Sequence, residues 1–172
     1  MKTRLLSFNI YLCLAALLLA VGCSTEARQR KELSTIRVFL EAEDDGTGMA
    51  GDVEVTKARY KVTINKESLL DESDVDAAEL VDGLGGPEMQ VVFNDHGTLL
   101  LNMVSVANKG RRLVIMTQSP DTRWLACPVM RSIITTGTLR FTPDPSCTRT
   151  ELERIVSGLN KVAKKNKNLN AF

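Results

Sequence analysis

Asn94-Asp95-His96-Gly97-Thr98 heads a stretch in which Leu100, Met103, Val104 and Ala107 recur at helical spacing. Lys109-Gly110 then closes it, and Arg112 to Thr117 follow as a strand. Asn and Asp accept hydrogen bonds from the free N–H groups of a first helical turn, and glycine takes the left-handed conformation that ends a last one. The shared face of Leu100, Met103, Val104 and Ala107 predicts an amphipathic helix lying on a core. A helix capped at both ends and delivered into a strand requires a fold that packs helix on sheet.

Toward the C-terminus, Arg112 to Thr117 and Arg123 to Ala126 are strands around a turn at Gln118-Ser119-Pro120-Asp121, and Thr138-Leu139-Arg140-Phe141 is another. Thr148-Arg149-Thr150-Glu151 fits a capping box, and Leu152, Ile155, Val156, Leu159, Val162 and Ala163 follow at helical spacing. Lys161, Lys164, Lys165 and Lys167 gather late, where positive charge complements the helix dipole. Toward the N-terminus, Ile36 to Ala42 alternates with period two and predicts a half-buried strand with Ile36, Val38, Leu40 and Ala42 on one face. Ala58, Tyr60, Val62 and Ile64 predict a second strand after a Gly- and Asp-rich loop from Asp44 to Asp52. That loop lacks the acidic spacing of a calcium-binding EF-hand. Leu69 to Val75 reads as a loop with a helical turn. Gly83-Leu84-Gly85-Gly86-Pro87 joins two strands as a hairpin, since no helix follows the glycines to cradle a phosphate. The sum is an α+β class with an antiparallel or mixed sheet and helices on one face; strict βα alternation, and with it a doubly wound fold, is absent.

The chain has 172 residues, 22 Lys and Arg against 21 Asp and Glu. Met1-Lys2-Thr3-Arg4, the apolar run Leu5 to Ala20 and Val21-Gly22-Cys23-Ser24 read as an export signal ending in a lipobox, with Ala20 where Leu is usual. The box resembles that of bacterial lipoproteins, which implies cleavage before Cys23 and lipidation of that cysteine; the same resemblance implies, from Ser24 rather than Asp after it, the outer rather than the inner membrane of the envelope. The expected plan is a signal over 1–22, a tether over 23–34, one domain over 35–166 and a tail over 167–172. About 150 residues remain after cleavage, enough for one hydrophobic core. Near-neutral charge removes the electrostatic footprint of a nucleic-acid partner.

Cys13 lies in the signal and Cys23 at the lipid site, so Cys127 and Cys147 remain for one disulfide in an oxidising compartment, or as two partly buried thiols. His96 is the single histidine, too few for a zinc set with them, and no metal or other cofactor is expected. Beside Asp95 at a helix start, His96 reads as a capping or surface residue. The carboxylates Asp71, Glu72, Asp74, Asp76, Glu79 and Asp82 form no defensible acid/base pair. Trp124, Phe141 and Tyr60 read as core. The chain is therefore expected not to be an enzyme.

From Leu69 onward the order of motifs resembles the head of the first periplasmic domain of SecD, the membrane subunit that works with SecF in protein export. The likeness runs over about residues 69 to 160. It rests on Leu69-Leu70 with its Asp-rich turn, Gly86-Pro87 to Phe93, Asp95-His96-Gly97, and Asn108-Lys109-Gly110-Arg111-Arg112-Leu113-Val114-Ile115. It continues through Trp124-Leu125-Ala126-Cys127-Pro128-Val129-Met130-Arg131, Ile133-Ile134-Thr135-Thr136-Gly137 and the closing helix with Leu159-Asn160. The resemblance implies a non-enzymatic module, ferredoxin-like in spirit, that engages protein partners such as exported chains. Gly97, Gly110, Arg111, Pro128 and Gly137 carry over as structural positions. Proton-driven work does not carry over, because this chain has no membrane helices after its signal. The alternative is a lipoprotein that docks to an envelope complex without an export role.

Overall fold

Leu113-Val114-Ile115-Met116 is apolar at every position, and in the computed structural model, which describes residues 33–169 except 44, 45, 47, 56–59 and 120, this run is the middle strand of a sheet covered on both faces. The strands are β1 (Thr35–Leu40), β2 (Ala50–Val55), β3 (Tyr60–Asn65), β4 (Val75–Gly83), β5 (Gly86–Phe93), β6 (Leu113–Gln118), β7 (Thr122–Ala126) and β8 (Thr138–Phe141). The helices are α1 (Asp95–Ala107) and α2 (Arg149–Leu169). They form three sheets, β1-β6-β7, β2-β3 and β4-β5-β8, and every pairing of named strands is antiparallel. The α+β class with helices on one face is what the chain adopts, with its strands divided among three sheets.

Alternate residues of β1 and β6 enter different cores. Ile36, Val38, Leu113 and Ile115 join Leu101 of α1, Met89 and Val91 of β5 and Leu152, Ile155 and Leu159 of α2. Phe39 and Val114 point the other way, into a smaller cluster with Val55, Val62 and Ile64 of the β2-β3 hairpin. The expected half-buried β1 is thus also buried on its second face at Phe39, where the hairpin roofs it, while Arg37 on that face stays exposed. Phe39 meets Trp124 edge-on at 5.9 Å between ring centroids and 67° between planes, an arrangement worth about 0.5–1.5 kcal/mol beyond the area buried. Trp124 and Phe141 are core residues as expected. The side chain of Tyr60 lies outside the described residues. β2 takes the last three residues of the expected loop, Ala50 to Asp52, and runs on through Val55, with Val53 and Val55 supplying its alternation.

Residue 34 already belongs to the fold. Ser34 is fully buried, its Oγ donates to Ser119 Oγ at 2.7 Å, and Gly158 of α2 approaches it where a Cβ would stand 2.7 Å from its backbone nitrogen. The tether expected over 23–34 therefore gives up its last two residues to the domain, and α2 continues through Leu169 into the expected tail, where Lys167 pairs with Asp76 at 3.1 Å. The signal and Cys23 lie outside the described residues. Among the described residues no helix is long and apolar enough to cross a membrane.

Besides the ion pairs of Arg149 with Asp82 and Lys167 with Asp76, one side chain ties α2 to the backbone of β4. The Asn160 amide accepts from Ala78 N–H and donates to Ala78 C=O, both at 2.8 Å, as a neighbouring strand would. The bonds engage the free edge of β4, since β5 takes its other side. At the start of α2, Thr148 Oγ1 accepts from Glu151 N–H at 3.2 Å, but the Glu151 carboxylate turns to Arg123 at 2.9 Å, so only half of the expected capping box forms. On α1, Asn94 caps by accepting from Gly97 N–H at 2.9 Å. Its buried residues are Gly97, Leu101 and Ser105, flanked by the partly buried Leu100 and Val104, whereas Met103, expected in the core, is exposed.

The expected disulfide is absent. Cys127 and Cys147 are free, Cys127 packed against the small cluster and Cys147 against the main core. Burial raises both thiol pKa values; Arg112 beside Cys127 and Arg123 beside Cys147 oppose the rise, and nearby carboxylates add to it. A raised value in the folded state favours the protonated thiol. The resulting stability is full below the ordinary thiol pKa of about 8.5 and is lost as pH climbs through the higher folded value.

Both thiols should therefore alkylate more slowly than an unfolded control at pH 8, with the gap narrowing above pH 9; modification at the control rate would refute the burial argument. Asn160→Ala should lower unfolding free energy by about 1–2 kcal/mol, because Ala78 loses both partners. Two glycines separate conformation from crowding. Gly110, at φ +92° with open space where a Cβ would stand, should cost about 1–2 kcal/mol on substitution by Ala. Gly137, at φ +65° with Thr98 Cβ 2.9 Å from the place of an added Cβ and the Thr98 hydroxyl closer still, should cost clearly more. Urea titrations of the two variants give the order.

Candidate functional site

β8 ends its sheet: it pairs with β5 from Met89↔Phe141 to Val92↔Thr138, and no named strand follows it. Gly137 starts it in a left-handed turn whose carbonyl accepts from Phe93 N–H at 2.8 Å. Opposite runs the segment 127–134 that leaves β7. Pro128 C=O accepts from Leu113 N–H, Met130 N–H donates to Arg111 C=O, and Met130 C=O accepts from Gly110 N–H, each at 2.9 Å. Ser105, fully buried on α1, accepts from Ile134 N–H at 2.9 Å and donates to Asn102 C=O at 2.9 Å. The segment is thus anchored to the end of α1 and the start of β6.

Between this segment and β8 lies a groove of about 240 Å³. Leu113, Pro128, Val129, Met130, Ile134 and Leu139 give it an apolar side, and Arg131, Ser132, Thr138 and Arg140 make the rest polar. Arg140 is joined to Glu88 by an ion pair. An edge strand beside apolar hollows can take an extended chain, with backbone hydrogen bonds to the strand and side chains in the hollows. A second hollow of about 240 Å³, lined among others by Gly85, Pro87, Pro143, Pro145 and Cys147, lies near the turn between β4 and β5.

Four of the five motif positions frame the groove. Gly110 and Pro128 hold the segment, Gly137 begins the strand, and Arg111 reaches Glu41 C=O at 3.4 Å and Glu43 Oε1 at 3.1 Å, tying the same corner to the end of β1. Arg112 adds N–H and guanidinium bonds to the Glu41 carboxylate at 2.8 and 3.0 Å. Gly97 stands apart at the head of α1, where a Cβ would come within 2.9 Å of Phe93 Cβ and 3.0 Å of Asp74 Cβ. His96, largely exposed, sits with Nδ1 2.8 Å from Asp74 Oδ1, and Asp74 also accepts from Asp71 N–H at 3.2 Å. The histidine belongs to the frame of the turn before α1, in keeping with the surface role read for it. Among the described residues no three His, Cys, Asp or Glu side chains group as a metal site. Ser105 and Ile134 are the positions that sequence reasoning missed. A serine buried inside an apolar helix face is the signal that marks the first.

No family model matches the sequence, and no curated protein does. Solved structures do. A structure of a membrane component SecDF that enhances protein export superposes with a TM-score of 0.56 at 17% identity, covering 81% of this chain and 68% of that one. SecDF in a super-membrane-facing form gives 0.54 at 19% identity, covering 74% of this chain and 18% of the other. This chain therefore corresponds to a small part of that second protein, and at such identities the likeness is one of fold. The described residues have a SecD-like fold, as their motifs imply.

Proposed function

We propose that this protein is a lipid-anchored module of the bacterial envelope that binds protein partners, among them extended segments of exported polypeptide, and that it acts by binding without catalysing a reaction. The observation that carries this reading is the mixed apolar and polar groove beside the edge strand β8 in a SecD-like fold. An extended segment added to β8 satisfies its own backbone polar groups and buries alternate side chains, so recognition tolerates many sequences. The Gly22-Cys23 box supports a lipid anchor at Cys23, which would hold the groove near a membrane surface, and Ser24 supports the outer one. The second reading, docking to a fixed envelope complex, uses the same groove with one constant partner.

Labelled, permanently unfolded envelope polypeptide should bind the full chain in detergent with saturation. Val129→Asp, which puts a carboxylate at the half-exposed wall of the groove, should weaken that binding about tenfold while leaving the melting temperature within a few degrees. Equal affinity in the variant would remove the groove from the reading, and absence of saturable binding would remove the client. Metabolic palmitate labelling should mark the wild-type chain and disappear in Cys23→Ala; a labelled variant would refute the anchor.

A further inference from the structure

We propose that the solvent side of α1 is a self-association surface that pairs antiparallel with α1 of a second copy of this chain. Between Gly97 and Ala107 the helix has no charged residue. Its inner face is used by Gly97, Leu101 and Ser105. Its outer face carries Leu99 at 58%, Met103 at 59% and Val106 at 57% exposure, which are successive neighbours at i, i+4 and i+7. α2 shows how this chain treats a helix face that water covers: Glu153, Arg154, Lys161, Lys164 and Lys165 are exposed there. α1 also carries the polar Thr98, Asn102 and Ser105, so its apolar stripe is one face rather than the whole helix; a continuous exposed apolar stripe on a small domain marks an interaction surface.

The charges at the two ends of the stripe select the occupant. Asp95 is exposed at its head and Lys109 is exposed just beyond its tail. A two-fold axis passing near Asn102 and Met103 sets Leu99 of one copy against Val106 of the other, and Asp95 against the turn that carries Lys109. The helix dipoles then oppose one another. The patch is self-complementary, as an isologous contact requires. Parallel pairing instead brings Asp95 to Asp95 and Lys109 to Lys109, and an anionic lipid surface meets Asp95 with like charge. This surface is separate from the groove beside β8, so the two readings stand or fall independently.

The test places a photoreactive amino acid at Met103 in the full chain in detergent and identifies the cross-linked peptides by mass. The expected product is a dimer joined between the two α1 segments. Asp95→Lys and Lys109→Asp should each lower its yield at least fivefold, and the double exchange should restore it. Leu99→Lys should abolish it, and melting by circular dichroism confirms that each variant is folded. A cross-link to residues 1–32 of the same chain, to detergent or to another protein overturns the proposal. So does a yield unchanged by the single reversals or left low in the double exchange.

Discussion

β6 has no face for water, and the architecture follows from that constraint. Leu113 and Ile115 need an apolar layer on one side of the sheet, and Val114 and Met116 need one on the other. Two helices and the sheet β4-β5-β8 provide the first; the β2-β3 hairpin provides the second. Such a strand draws most of its stability from burial, at roughly 25 cal/mol for each Å² of apolar surface removed from water. Removing the hairpin would leave Phe39, Val114 and Trp124 facing solvent, so a segment outside the SecD-like motifs is still part of the folding unit.

Burial alone does not position the layers, and here polar groups and glycines take over. Asn160 behaves as a one-residue strand on the open edge of β4, which fixes α2 along that strand and also blocks an edge that would otherwise recruit another chain. Gly158 lets the same helix close on Ser34, and Gly97 lets α1 close on Phe93 and Asp74. Except for Gly97 on Phe93, these contacts join residues far apart in sequence. Each acts by the lack of a side chain or by one amide, so a small change in composition at these sites has a large geometric effect.

Local signals were legible where the physics is local. The Asn94 cap, the Gly110 stop, the hairpin through Gly83 to Gly86 and the spacing of Leu152, Ile155 and Leu159 could all be read from neighbours a few residues away. The division of the strands into three sheets was not, because period-two alternation shows which residues share a face but not what covers it. Phe39 is the clearest case. It sits on the supposed solvent face of β1, and only the roof formed by Val55, Val62 and Ile64 makes it core. The cysteine pairing failed for a related reason: counting thiols in an oxidising compartment says how many bonds can form, whereas packing in different clusters decides whether two sulfurs meet. The groove escaped because its walls come from β8 and the 127–134 segment, and its frame from a serine on α1.

The positions that the sequence reading carried over as structural are informative through where they gather. Gly110, Arg111, Pro128 and Gly137 belong to three separate stretches, yet all of them shape or brace one corner. Stability of the core does not require that, since Leu113, Met130 and Leu139 would be buried equally well by a segment that closed over them. Holding the segment away from β8 costs apolar surface left open to water, including the partly exposed Val129. A chain that pins its backbone to keep a partly apolar hollow open beside the free edge of β8, rather than collapsing it, has the preorganisation on which the proposed binding of an extended partner rests.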